Sequence, residues 1–271
     1  MQKMTMWRLL GLETYDAATN MALDEAVLRS RIEGVSPNTV RFYRWNPSAV
    51  SIGRFQNVHD EVNLENCEKH GVDVVRRITG GGAVYHDSQG EITYSVVVGR
   101  NDLGARDITT AYNRICNGLT SALKILGTQA DFNPGDPKNC PNITVNGRKI
   151  SGSSQSVKGG VVLQHGTLLL NVDLEKMFTY LRVPWAKTCM EIVNVAQRKI
   201  TSVKAELGVE IGTDRAYAAL IRGFEDALEM DFSEGELTLD EKKMTEKLSR
   251  EKFANAEWTF LGAQGSETSK L

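Results

Sequence analysis

Apolar residues recur at helical spacing in several stretches of the chain. These helical patterns cover residues 21–28, 62–70, 109–126, 215–230 and 239–253. Asn20 precedes the first pattern and suits an N-terminal cap, while Gly71 and Gly127 follow the second and third and suit C-terminal caps. The sequence therefore predicts five helices, of which 109–126 has the clearest amphipathic pattern.

Shorter apolar stretches between turn residues predict strands. They cover residues 39–43, 49–52, 72–77, 91–98 and 160–172. Asn146-Gly147 lies in the middle of 143–150 and is the strongest short-range signal for a β-hairpin. Residues 131–142 are rich in Pro, Gly, Asp and Asn and are typical of a loop.

The order of these elements predicts an α+β fold. Strands cluster in the centre of the chain and helices lie between and after them, which favours a mixed or antiparallel sheet covered on one face by helices. A Rossmann fold fits poorly, because the glycine run at 80–82 leads into another strand-like stretch rather than into a helix.

Composition narrows the class of protein. The 271 residues are 41% hydrophobic and 24% charged, with a net charge of −2, so any anion-binding site has to be local and no general attraction to nucleic acid or acidic lipid is expected. The four cysteines are widely spaced with no CxxC pair, which argues against disulfides or zinc. No apolar run approaches a signal peptide or a bilayer span, so we expect a cytoplasmic protein without a membrane partner.

Gly80, Gly81 and Gly82 form the first candidate for a functional element. Glycine lets a ligand approach the main chain, and the N–H groups of such a turn can form an anion site. Arg76 and Arg77 precede the run on a predicted strand, so they should point to opposite faces and at most one should face a ligand. The alternative is a tight hairpin with surface arginines. The run is not a P-loop, since no Gly-Lys-Ser/Thr follows.

Lys149 is the second candidate. Alternation along the predicted strand places it on the same face as Ser151, and the small residues 151–154 leave room for a ligand. A lysine in a cleft can hold a phosphate or stabilise charge on an acyl carbonyl, whereas the alternative is a solvated hairpin lysine. His165 begins an apolar strand, and the sequence leaves a structural and a site role equally open.

Several segments together resemble one known family. Residues 76–87 are similar to the segment RRxTGGGAVYHD of lipoate–protein ligases, and 147–171 resembles the lysine motif and the His-Gly strand of the same family. The further similar segments are 20–26, 41–47, 51–57 and Glu257-Trp258. The resemblance to the lipoate–protein ligase A family extends over residues 7–260.

The resemblance implies a biotin/lipoate ligase-like catalytic domain over 1–260, with a central mixed β-sheet flanked by helices. From their terminal position, residues 261–271 are expected to form a flexible tail. It implies ATP-dependent activation of lipoate or octanoate to an acyl-adenylate, with Mg²⁺ accompanying ATP. The acyl group then passes to the lysine of a lipoyl domain, either in a 2-oxoacid dehydrogenase E2 subunit or in the glycine cleavage H protein.

The resemblance also carries roles over to individual residues. Arg77 and Gly82 to Tyr85 would hold the adenylate phosphate and ribose, and Lys149, the catalytic residue, would contact the carbonyl and the phosphate. The full set of expected binding residues is Arg77, Gly81, Gly82, Ala83, Val84, Tyr85, His86, Lys149 and His165, with no protein ligand to a metal.

Two departures from the ligase pattern open an alternative. No accessory domain follows Glu257-Trp258, as in archaeal-type ligases, which take that domain from a separate small subunit. Asn139-Cys140-Pro141 stands where ligases have Asn-Asp-Ile or Asn-Asp-Leu. LipM-type octanoyltransferases resemble this chain too and carry a catalytic cysteine upstream of the lysine.

The leading hypothesis is therefore an ATP-dependent lipoate–protein ligase, because Gly80 to Gly82 is intact, and a separate small subunit is its expected partner. The alternative is an octanoyltransferase that takes octanoate from acyl carrier protein onto Cys140, since a thiolate near Lys149 would have a lowered pKa and act as a nucleophile. A third hypothesis, a non-catalytic lipoyl-binding protein, is disfavoured by the intact Arg77, glycine run and Lys149.

Overall fold

The computed structural model describes residues 7–136, 140–184, 186 and 188–262. Asn139 and most of the tail predicted over 261–271 lie outside these residues. The strands are β1 (Trp7–Tyr15), β2 (Thr39–Trp45), β3 (Ala49–Ile52), β4 (Asp73–Arg76), β5 (Val84–His86), β6 (Glu91–Gly99), β7 (Asp131–Asn133), β8 (Asn142–Val145), β9 (Arg148–Lys158), β10 (Val161–Leu169) and β11 (Phe232–Glu234).

The helices agree with the predicted ones in position and add several short ones. They are α1 (Ala17–Ile32), α2 (Val58–Glu61), α3 (Leu64–His70), α4 (Ile108–Leu126), α5 (Leu174–Tyr180), α6 (Cys189–Ala196), α7 (Val203–Leu207), α8 (Thr213–Leu228), α9 (Leu239–Leu248) and α10 (Ala256–Leu261), with a π-helical turn at Ser249–Phe253. Gly71 and Gly127 cap α3 and α4 in the left-handed conformation, as predicted.

Helix α1 begins earlier than its apolar pattern indicated. The cap is Asp16, whose side chain accepts a hydrogen bond from Thr19 N, and the predicted cap Asn20 is buried inside the helix. The Asn20 side chain instead donates to the carbonyl oxygens of Tyr15 and Arg44. Asp and Asn can both cap a helix, so local preference does not decide between Asp16 and Asn20. The tertiary position of Asn20 between two strands decides that Asp16 is the cap.

Eight strands form one mixed sheet in the order β11-β1-β2-β6-β10-β9-β8-β7. Pairing is parallel from β11 to β2 and antiparallel from β2 to β7. A separate three-stranded sheet has the order β4-β3-β5. The predicted α+β architecture with a central mixed sheet flanked by helices is confirmed.

Helices cover both faces of the large sheet, so the expectation that they would cover one face was wrong. Phe42, Tyr94 and Phe224 belong to the core between the sheet and helices α4 and α8. Val97 and Leu163 point to the opposite face, where they pack with Leu10, Val27 and Leu28 against α1. The continuous apolar run in β6 is typical of a strand that is buried on both sides.

The predicted hairpin forms at Asn146-Gly147. Both residues have positive φ, 50° and 75°, which matches the two-residue turn that suits the twist of paired strands. The second strand, β9, runs on to Lys158, where Gly159 and Gly160 turn the chain into β10. This long pair brings Lys149 and His165 to one side of the large sheet.

Candidate functional site

The residues singled out in the sequence meet in a cleft between the two sheets, which we call the central cleft. It has a volume of about 580 Å³. Its walls include the glycine run, Trp45 and Tyr43 from β2, and the side chains of Arg77, Cys140, Lys149 and His165. Residues from widely separated parts of the sequence, from Tyr43 to His165, therefore face one space.

Arg77 lines the cleft but is fully engaged with the protein. Its Nη1 donates to the carbonyl oxygen of Ser51 at 2.8 Å and to the Ser51 hydroxyl at 2.9 Å. Its Nη2 donates to the carbonyl oxygens of Gly80 at 2.9 Å and Gly82 at 3.0 Å. Its Nε donates to Thr79 Oγ1 at 3.4 Å. Burial lowers the pKa of Arg77 to about 10. With all five N–H groups engaged, the side chain holds the glycine run in shape. The contact of Arg77 with an adenylate phosphate, which the resemblance implied, stays a prediction.

Arg76 points away from the cleft, as strand alternation predicted. Its guanidinium donates to the carbonyl oxygens of Gly53, Gln56, Trp258 and Thr259 at 2.7–3.1 Å, and Trp258 Nε1 donates back to Arg76 O. All of these acceptors are main-chain carbonyl oxygens. Arg76 thus fastens α10 to the small sheet behind the glycine run.

Gly81 is the glycine of the run that admits no side chain. Its φ is +90°, and a methyl carbon placed on it would lie 2.5 Å from Ser154 Oγ. Ser154 in turn donates to Gly80 O at 2.8 Å, which ties the run to β9. At Gly80 and Gly82 a methyl group would meet nothing within 4 Å, so the steric requirement is confined to one position.

Cys140 lies against the same glycine. Its Sγ would be 3.7 Å from a methyl carbon on Gly81, and Arg77 Nη2 would be 3.4 Å from that carbon. The cysteine is exposed, whereas Cys67 and Cys116 are buried. The structure therefore places one accessible thiol beside the glycine run and a buried guanidinium.

Lys149 reaches across Gly152 into the cleft, where Nζ would lie 2.8 Å from a methyl carbon on that glycine. Much of the side chain is accessible from the cleft, yet protein atoms surround the ammonium. That burial lowers the pKa of Lys149, and the Arg77 guanidinium lowers it further, while a Cys140 thiolate opposes both effects. Within the described part of the chain, the ammonium makes no hydrogen bond or ion pair, so it is free to contact a ligand.

His165 is held at both ring nitrogens. Its Nδ1 donates to Asp24 Oδ2 at 2.8 Å, and its Nε2 accepts from Thr79 Oγ1 at 2.7 Å. Burial lowers the pKa of His165 and outweighs the opposing effect of Asp24, so the ring is neutral at pH 7. His165 lines the cleft, but its hydrogen bonds serve to orient Thr79 and, through it, Arg77.

Asp24 is the buried anion of this arrangement. It accepts from Arg41 Nη1 at 3.2 Å and from Tyr43 Oη at 3.2 Å, besides His165. Burial alone would raise the pKa of Asp24, but the hydrogen bond from His165 and the Arg41 guanidinium lower it overall. Sequence reasoning assigned no role to Asp24 or Arg41, although both lie in segments that carried the resemblance.

His86 makes a parallel arrangement on the small sheet. Its Nδ1 donates to Glu91 Oε1 at 2.7 Å, and its Nε2 accepts from Ser51 Oγ at 2.7 Å. The ring stacks on Trp45 with centroids 4.0 Å apart. Since Ser51 also accepts from Arg77, two carboxylate–histidine–hydroxyl chains end on the same guanidinium.

Ala83, Val84 and Tyr85 line a second space, which we call the side cavity. It has a volume of about 670 Å³ and is lined further by Leu169, Met177, Phe178, Leu181 and Ile200. Tyr85 is buried, packs against Tyr180 and donates to Asp87 Oδ2 at 3.3 Å. Tyr85 therefore walls the side cavity and not the central cleft, whereas Ala83, Val84 and Lys149 border both.

Metal ligands and membrane spans were searched for in the described residues. No group of three or more His, Cys, Asp or Glu side chains lies in an arrangement that could hold a metal ion. No described helix is long and apolar enough to cross a membrane.

Comparison with known proteins decides the family. Residues 16–225 match the model of the lipoyl protein ligase A/B catalytic domain. The chain belongs to this family. It is thus an enzyme of the lipoate ligase and octanoyltransferase group, which leaves no support for the non-catalytic hypothesis.

Solved structures of the ligase A/B family match the fold. The chain is 32% identical to a bi-partite lipoate protein ligase of Thermoplasma acidophilum, described with its E2 lipoyl domain, over 94% of this chain and 96% of that one, with a TM-score of 0.82. It is also 32% identical to a lipoate-protein ligase A bound with ATP, over 94% and 98% of the two chains, with a TM-score of 0.81.

Curated relatives of the family overturn the leading functional hypothesis. The chain is 34% identical to the octanoyltransferase LipM of Clostridioides difficile (strain 630) over 94% of this chain and 98% of that protein. Further relatives with the same name are 33–36% identical over more than nine-tenths of the chain. The prediction of an ATP-dependent ligase was therefore wrong in its main part, and the octanoyltransferase alternative is better supported.

Proposed function

We propose that the protein is an octanoyltransferase that forms a thioester on Cys140 and passes the acyl group to the lysine of a lipoyl domain. The single observation that carries this proposal is the exposed Cys140 thiol, which borders the glycine run in the same cleft as the free ammonium of Lys149. The names of the curated relatives point to the same reaction.

The reaction divides into two acyl transfers that balance without ATP. The Cys140 thiolate attacks the carbonyl carbon of an octanoyl thioester on acyl carrier protein, and the new C–S bond forms as the C–S bond to the carrier breaks. The carrier leaves as a thiolate and takes up the proton that Cys140 released on ionising. The ε-amine of the acceptor lysine then attacks the Cys140 thioester, an amide bond forms, and Cys140 leaves and takes the amine proton. Donor and acceptor thus use the same sulfur in turn.

Charge develops on the carbonyl oxygen in both steps, and Lys149 lies where it can stabilise that charge. Its ammonium has no other partner among the described residues, and it enters the same cleft as Cys140. Gly81 and Gly82 line the same cleft, and the main-chain N–H groups of such a glycine turn can also bind a developing oxyanion. We therefore assign Lys149 as the catalytic cation, and the main chain of the glycine run as a second group that stabilises charge on the same carbonyl oxygen.

The remaining predicted residues position these groups. Arg77 fixes the shape of the glycine run, while His86 and His165 hold the hydroxyl groups that accept from Arg77. Trp45, Tyr43 and Met21 supply apolar walls to the central cleft, which suits an eight-carbon chain.

The test uses apo lipoyl domain as acceptor and octanoyl-carrier protein as donor, without ATP. We expect octanoylation of the acceptor, a covalent octanoyl-enzyme visible by intact mass, and loss of both with Cys140→Ala. Cys189→Ala is the matched control, because Cys189 is also exposed but borders the outside of helix α5 rather than the cleft. Lys149→Ala should retain the fold and lose roughly 100-fold or more in rate.

Two results would contradict the proposal. One is full activity of Cys140→Ala with the carrier-protein donor. The other is acceptor modification that requires free octanoate and Mg-ATP and never produces an acyl-enzyme.

A further inference from the structure

The side cavity and the central cleft border each other at Lys149. Five residues border both spaces: Ala83, Val84, Lys149, Gly152 and Thr167. The Lys149 ammonium stands over Gly152 at this junction. Cys140 lines the central cleft but not the side cavity, so of the two groups proposed to react or to stabilise charge only Lys149 borders both spaces.

The side cavity also shares a wall with a surface groove. Phe178 and Leu181 line both the side cavity and this outer groove, which has a volume of about 1420 Å³ and lies between α2, α3, α5 and α6. Phe178 and Leu181 therefore stand between the groove and the side cavity, and Lys149 stands between the side cavity and the central cleft. The reacting carbonyl proposed above would lie on the central-cleft side of Lys149.

The lining of the side cavity has a distinct chemical character. It is mainly apolar, and none of the described residues that line it carries a carboxylate. The one charged lining group is the Lys149 ammonium at the inner end. An apolar wall suits the four-carbon stem of a lysine, while burial beside a like charge favours the neutral form of an incoming amine. A nucleophilic lysine has to be in that neutral form.

We infer that the side cavity is the channel through which the acceptor lysine of a lipoyl domain reaches the acyl group on Cys140. The inference rests on the proposed function. Its ε-amine nitrogen bonds to the thioester carbon as the C–S bond to Cys140 breaks, and the amine proton passes to the departing sulfur. The thioester donor needs no such passage, because Cys140 is exposed on the side of the central cleft.

Narrowing the channel tests the inference. In Leu181→Trp, the larger ring fills the side cavity beside the outer groove. In Ile200→Trp, made separately, it fills the side cavity beside Lys149. Each enzyme is loaded with octanoate from octanoyl-N-acetylcysteamine, and single-turnover transfer is then measured to apo lipoyl domain and to hydroxylamine. Leu239→Trp is the matched control, since Leu239 is 74% exposed on α9, away from the cavity.

We expect normal loading and normal cleavage by hydroxylamine in both channel variants, with transfer to the lipoyl domain slowed by roughly 100-fold. Wild-type transfer rates in both variants would overturn the inference. Slow loading from octanoyl-carrier protein with unchanged transfer to the lipoyl domain would also overturn the inference, because it would assign the channel to the acyl donor. Failure of the wild-type enzyme to load would instead refute the proposed thioester.

Disulfide trapping tests the channel without any acyl chemistry. Leu181→Cys is placed in a Cys140→Ser, Cys189→Ser background, which leaves no exposed native cysteine in the described part of the chain. It is then mixed with a lipoyl domain whose acceptor lysine is replaced by cysteine. We expect a mixed disulfide with Leu181→Cys and none with Leu239→Cys. Equal trapping at both positions, or at neither, would overturn the inference.

Discussion

The Asp24 carboxylate offers a quantitative test of how the site is supported. Asp24 and Arg41 are paired at 3.2 Å with side chains that are each 2% exposed. Asp24→Asn keeps the shape but removes the charge, and its amide group presents N–H to donors that now lack an acceptor. Breaking a buried ion pair from one side costs about 3–5 kcal/mol, so we expect a loss of that size in the free energy of unfolding.

The assay is urea denaturation at pH 7 together with thermal unfolding. For a chain of this length, the expected loss lowers Tm by about 10 °C. Asp102→Asn is the matched control, because Asp102 pairs with Arg31 at 2.7 Å where the side chains are 39% and 23% exposed. An exposed pair contributes less than about 1 kcal/mol. If both variants lost the same small amount, the reasoning that Asp24 is the structural anion of the site would be refuted.

Three further predictions follow from other contacts. Gly81→Ala should reduce acyl transfer roughly 100-fold, while Gly82→Ala, where a methyl group has space, keeps near-normal rates in the same assay. Burial holds the pKa of His165 below its unfolded value, so its contribution to stability is complete above about pH 6.5 and is lost as the pH falls below that value, with a slope of at most about 1.4 kcal/mol per pH unit. His165→Gln should therefore flatten the pH dependence of the free energy of unfolding in urea between pH 7.5 and 5.5. An unchanged slope would argue against a neutral buried ring. In Arg76→Lys, the lysine retains the charge but cannot reach the same set of carbonyl oxygens, so the packing of α10 on the small sheet should weaken. A red shift of Trp258 fluorescence would show this weaker packing, and an unchanged spectrum would contradict the anchoring role.

Local signals were sufficient for much of the secondary structure. Gly127 ends α4 and Asn146-Gly147 turns the hairpin because both depend on backbone conformations that few residues adopt. Helix α1 was harder, since it is buried on nearly all sides and lacks a polar face. Its start at Asp16 rather than Asn20 depends on strands that come later in the chain.

The candidate site also has features that the sequence determined and features that depend on the tertiary structure. The sequence by itself determined that a glycine run, a lysine and a cysteine were present in motifs similar to one family, and it correctly separated Arg76 and Arg77 by strand alternation. Only the tertiary structure decided that Arg77 is fully occupied by main-chain and hydroxyl oxygens, because those acceptors come from β3 and from both ends of the glycine run.

Asp24 and Arg41 show the limit most clearly. Each is a charged residue in an apolar stretch, and a sequence pattern alone cannot show whether such a residue faces solvent or is paired in the core. The bonds of Asp24 with Arg41 and with His165 require α1, β2 and β10 to meet at one face of the sheet. Short-range preferences determined the elements of this protein, and long-range packing decided which polar side chains form its site.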